Sequence, residues 1–143
     1  MNENTRERID LLLEEFWKRG YLTVSRKFGT YLPEPERIGK FDVDIVARHK
    51  KDYAIGINLS QTDFADEKLA VKLEYLASRH TKYTNKKVKL FVGIPANYFK
   101  QAKIILDKLN TEVQKNIKLF QIVERNLSHS RKKKNRKSLP LFS

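Results

Sequence analysis

The sequence contains no cysteine, which removes two function classes at once: a disulfide-stapled secreted scaffold and any metal site built on thiolates. No run of residues approaches the roughly 20 consecutive apolar side chains that a membrane-spanning helix requires. The opening stretch MNENTRERID is polar and charged throughout, unlike the basic-then-apolar pattern of a secretory leader. A soluble, cytoplasmic protein with no membrane partner is the resulting expectation. There is also no G-x-x-x-x-G-K-[ST], no G-x-G-x-x-G and no G-x-S-x-G. These absences argue against a P-loop motor, a Rossmann enzyme and an α/β-hydrolase. The three histidines, His49, His80 and His129, lack the i,i+4 spacing of a zinc pair.

What the sequence has in abundance is positive charge. Thirty Lys and Arg oppose 17 Asp and Glu, a formal net charge of +13. Six of those positives fall within residues 131–143 with no acid among them, which leaves +7 on residues 1–130. Basic chains of this kind gain affinity for polyanions by releasing condensed counterions, so nucleic acid is the expected partner, DNA ahead of RNA. Two stretches interleave cations with rings: Arg26 and Lys27 followed by Phe28 and Tyr31, and Arg79, Lys82, Tyr83, Lys86 and Lys87. Cations that hold phosphates beside a ring that stacks on a base are the usual elements of such contacts. Arg131, Lys132, Lys133 and Lys134 extend the candidate set into the C-terminal run. Solvated loops would account for the same composition.

A chain of 143 residues suits one domain with a substantial core. Asn4 with Glu7 three residues on forms a capping pattern ahead of Ile9, Leu12, Leu13 and Phe16, which recur at helical spacing up to Gly20. Strands are predicted over residues 21–26, 41–48 and 53–59, and a long Gly/Pro-punctuated loop separates the first two. A helix is predicted over residues 65–80, a buried strand over 88–94, a third helix around Tyr98 to Leu109, and a last strand over 117–123. From about residue 125 the composition turns polar and then basic, so residues 1–124 are expected to form the domain and 125–143 a mobile tail.

The segment Phe41-Asp42-Val43-Asp44-Ile45 followed by Gly56-Ile57-Asn58 resembles the PD-(D/E)XK nuclease superfamily. The resemblance implies an α/β fold, a three-layer αβββαβ restriction-endonuclease-like core with a mixed central sheet. An extra C-terminal helix and strand would follow it. Members of that family hold Mg²⁺ or Mn²⁺ between a strand aspartate and an acid two residues before a lysine on the next strand. Asp44 matches the first acid, while Gly56 and Asn58 stand where the second acid and the lysine belong. The resemblance leaves Asp42, Glu14 or Glu15, Gln61 and Lys72 as candidates to complete the site, Glu14 as a distant metal ligand and Lys72 as a relocated lysine. A solvent-facing strand is the bland alternative for Asp42 and Asp44, with Phe41, Val43 and Ile45 looking inward. Gly56→Glu with Asn58→Lys would restore the pattern if the side chains fit beside the second helix.

The expected function is therefore a nucleic-acid-binding domain of this kind, inactive or weakened as a nuclease, in a repair, restriction or mobile-element setting. An active metal-dependent endonuclease with relocated residues is the alternative, and monomer and homodimer both stay open. Leu139, Leu141 and Phe142 resemble the peptide by which bacterial proteins dock on the sliding clamp, which implies an adaptor role as a third reading.

Overall fold

The structure is a computed structural model and describes residues 3–123. It begins with helix α1 (Glu3–Lys18), whose Ile9, Leu12, Leu13 and Phe16 are all buried, as their spacing requires. Asn4 is the second residue of this helix and not its cap. Gly20 ends the turn at φ +87°, a left-handed conformation that costs glycine nothing. Three antiparallel strands follow, β1 (Leu22–Arg26), β2 (Ile45–His49) and β3 (Asp52–Asn58).

A short helix that was not predicted, α2 (Gln61–Ala65), precedes α3 (Leu69–Ala77), which occupies the middle of the helix predicted over residues 65–80. The extra helix starts where it does because Asp63 Oδ2 accepts from the Ser60 N–H at 2.8 Å and from the Ser60 hydroxyl at 3.1 Å, a capping arrangement. It stops at Asp66, where the backbone turns extended and the side chain accepts from Lys68 N–H at 2.9 Å. A short polar side chain that satisfies nearby backbone in this way competes with helix propagation.

Strand β4 (Lys89–Pro95) pairs parallel to β3, and β5 (Ile117–Ile122) pairs parallel to β4. Between them a 3₁₀ turn (Ala96–Tyr98) leads into α4 (Phe99–Asp107), and α5 (Thr111–Lys115) follows. The last helix was not expected, since five residues carry no periodicity. Its only signal is Asn110, whose side chain caps it by accepting from Val113 N–H at 2.9 Å. The result is an α/β protein with a five-stranded mixed sheet in the order β1-β2-β3-β4-β5.

Helices cover both faces. Against α1 the sheet presents Ile45, Ala47, Ala54, Phe91, Phe120 and Ile122, with Phe16 stacked on Phe91 at 4.3 Å between centroids. Against α3, α4 and α5 it presents an aliphatic layer that includes Ile55, Ile57, Leu90, Val92 and Ile94. β2 starts four residues later than the predicted strand because residues 38–41 close on themselves. Ile38 and Phe41 bridge, and Gly39 sits at φ +62°. Val43 then packs on the α3 side and Ile45 on the α1 side, so the strict alternation expected through residues 41–45 breaks at Asp44. Among the described residues, no helix is long and apolar enough to cross a membrane.

Candidate functional site

The three parallel strands end on one side of the sheet, and β2 begins there. In open α/β sheets the crevice beyond the carboxyl ends of the strands is the usual ligand site. Asp44 sits at this edge, one residue before β2. Its N–H donates to Gly56 O at 2.9 Å and its carbonyl accepts from Lys27 N–H at 2.9 Å, so its backbone continues the ladder between β1 and β3. Its side chain does the same work one step further on: Oδ2 accepts from the Asn58 N–H at 2.8 Å.

Three cations, from two helices and the loop after β1, converge on this carboxylate. Lys27, just past β1, places Nζ 3.7 Å from Asp44 Oδ1. Lys72 of α3 and Arg8 of α1 are also near enough to stabilise its charged form. Arg8 is itself anchored on Leu59 O, and Lys72 lies 3.7 Å from Asp63 Oδ1. Burial nevertheless dominates and raises the Asp44 carboxyl above the ordinary aspartate range, with the Asn58 amide, Lys27, Lys72 and Arg8 pulling the other way.

Gly56 and Asn58 stand at the two positions where the sequence resemblance would place an acid and a lysine. A Cβ on Gly56 would lie 2.8 Å from Phe16 Cε2 and 3.0 Å from Ile45 Cβ, so the volume of an acid is already taken by the α1 aromatic. The glycine faces α1, and a restored acid would not sit beside the second helix. The Asn58 carboxamide lies over β4 at Gly93, where any Cβ would collide with its oxygen. Both its polar atoms are buried with no hydrogen-bond partner among the described residues. Buried polar groups are nearly always paired, and each orphan costs about 1–3 kcal/mol.

The other candidates scatter. Asp42 is exposed and pairs with Arg37 at 3.2 Å, so it does not join Asp44. Gln61 is the exposed first residue of α2. Glu14 and Glu15 border a depression with Lys18 and the end of β5, which is the third strand over from β2. Arg26 is turned to Asp10 at 2.8 Å. Lys86 and Lys87 reach Asp52 at 3.5 Å and Glu112 at 2.8 Å, while Arg79 lies 3.8 Å above the Tyr75 ring. Lys82 and Tyr83 are exposed. Arg131, Lys132, Lys133, Lys134, Leu139, Leu141 and Phe142 lie outside the described residues. Lys27 and Lys72 were candidates for separate roles and meet at one carboxylate. Arg8 and Asp63 were missed, and nothing local in the sequence links Arg8 to a carbonyl 51 residues away.

Mg²⁺ needs several hard oxygen ligands in near-octahedral array. Here one oxygen of Asp44 is occupied by an amide, the other faces Lys27, and Asp63 is shared between its cap and Lys72. No group of three or more His, Cys, Asp or Glu among the described residues could hold a metal ion. The donor set does not fit Mg²⁺ or Mn²⁺. A cluster in which cations outnumber acids suits a phosphate better. Comparison with protein families, with curated proteins and with solved structures returned no match.

Proposed function

We propose that this chain is a nucleic-acid-binding domain whose sheet and helices form a PD-(D/E)XK-like core in which the nuclease site has been given over to binding. The observation that carries the reading is the cluster itself. Asp44 is held across the β2–β3 junction by Asn58 N–H, ringed by Arg8, Lys27 and Lys72, with Phe16 in the space of the second acid. In this reading Asp44 positions the cations, and the cations meet phosphate. The +13 charge supplies the long-range attraction.

Titration of the full chain with labelled DNA over a range of salt tests this. Log affinity is expected to fall with log salt by about 0.9 per phosphate neutralised on duplex and about 0.7 on single strands. A chain with no salt-sensitive affinity for any nucleic acid overturns the proposal. One observation favours the runner-up, an active nuclease with a relocated lysine: Lys72 does reach the field of Asp44. Millimolar Mg²⁺ or Mn²⁺ separates the two. Losing an acid and a lysine that each supply several kcal/mol costs roughly three or more decades in rate, so no appreciable cutting is expected. Robust cutting abolished by both Asp44→Ala and Lys72→Ala would favour the enzyme.

A further inference from the structure

A second feature lies apart from Asp44, under the loop that joins α3 to β4. A groove of about 510 Å³ opens there between residues 79–84 and the sheet, floored by Ile38, Tyr53, Ile55 and Val88. We propose that it receives an unpaired nucleobase, so that the partner of this domain is a single strand or a duplex with an unpaired stretch. The proposal rests on the nucleic-acid reading above and specifies its ligand.

Three observations carry it. The loop is built to hold its shape: His80 bridges to Lys87, Thr81 N–H donates to Lys86 O at 2.8 Å, and Lys86 N–H donates to Thr81 Oγ1 at 2.9 Å. At its tip Tyr83 is 94% exposed, a large ring kept out of the core by an ordered turn. The groove's size falls within the roughly 300–1,000 Å³ of small-ligand sites, and its apolar floor with a few polar groups at the edge is their usual composition.

Cations predominate around it, with Asp52 and Glu112 the acids that pair with two of them. No Asp or Glu occurs between Glu74 and Asp107, a stretch that holds seven Lys and Arg. Arg79 is immobilised on the groove wall, its face on the Tyr75 ring at 3.8 Å and its Nε bonded to Tyr75 O at 2.9 Å, which leaves its terminal N–H groups to meet phosphate. Lys86 and Lys87 pair only with exposed acids, and such bridges are weak enough to exchange for phosphate oxygens. An apolar slot beside a free ring and a line of cations matches a base flanked by phosphates. A base stacked inside a duplex cannot enter it.

The test uses the full chain and four probes: oligo-dT, oligo-U, a duplex of equal length and a mononucleotide. Either oligomer is expected to bind more tightly than the duplex. Tyr83→Ala should weaken single-strand binding roughly 5- to 100-fold, Tyr83→Phe should restore it, and duplex affinity should stay within about two-fold. A 2-aminopurine in the oligomer should lose fluorescence on binding wild type and not on binding Tyr83→Ala. Tyr83 is almost fully exposed, so both variants should fold. Tighter binding of duplex, a silent Tyr83→Ala, or a mononucleotide as tight as the oligomers overturns the groove while leaving the nucleic-acid reading standing. Absence of binding to every probe overturns both.

Discussion

Two asparagines, at opposite ends of the sheet, mark two regions built on different terms. Asn116, just before β5, is buried and fully engaged: its amide donates to Ala77 O at 2.7 Å and to Val88 O at 2.6 Å, tying α3 and the start of β4 to the last strand. Asn58, at the carboxyl end of β3, has both polar atoms buried with no partner among the described residues, and stands beside an aspartate whose burial outweighs three nearby cations. The first region spends its polar groups on holding the fold. The second carries unsatisfied and unfavourably buried ones, as sites that await a ligand do.

The largest effect should come from placing an acid at Gly56 in the second region. Gly56→Glu would drive a side chain into Phe16 and bury a charge against the α1 aromatics. We expect a loss of about 3 kcal/mol or more in urea unfolding, and no gain of cleavage. A stable Gly56→Glu protein would mean that α1 yields readily and that the glycine is incidental.

Asn116→Ala strips two carbonyls of their donor, and should cost roughly 2 kcal/mol on the same urea scale. A change below about 0.5 kcal/mol would remove the contrast between the two ends.

Asp44→Asn should act in the opposite sense. The folded-state carboxyl binds its proton more tightly than the unfolded one. The folded chain therefore holds more protons across the window between the two pKa values. Stability falls as pH rises through that window, and the penalty is complete above the folded value. Asparagine keeps an acceptor for Asn58 N–H and carries no charge, so the variant should gain about 1 kcal/mol at pH 7. The gain should vanish as the pH is lowered towards about 4, the ordinary aspartate range. Thermal melts at several pH values check this, and a variant less stable than wild type at pH 7 would make Asp44 a structural cap.

Smallest of all should be Asn58→Ala, within about 0.5 kcal/mol, because relief of its two unpaired polar atoms is offset by the packing lost over Gly93. A cost near that of Asn116→Ala would show Asn58 to be as fully engaged as its counterpart.

Much of the layout was legible in the chain because it depends on local periodicity. The helical spacing of Ile9, Leu12, Leu13 and Phe16, the apolar run of β4 and the Gly/Pro loop before β2 each announce themselves. The misreadings fall where local chemistry competes with periodicity. Asp63 caps an extra short helix ahead of the predicted one and Asp66 ends it, so that α3 starts four residues late; the 38–41 turn delays β2, and the faces switch at Asp44. The basic balance could likewise be read directly.

Sequence alone determined the charge and most of the longer elements, since these are properties of residues and their neighbours. Only the tertiary structure decided that Lys27, Lys72 and Arg8 share one carboxylate, that Phe16 fills the space over Gly56, and that a groove lies beneath Tyr83. Each of those depends on which strands pair and which helix covers which face. Contacts between residues tens of positions apart leave no periodic trace in a single chain, because burial and pairing are set by the closed sheet and not by neighbours in sequence.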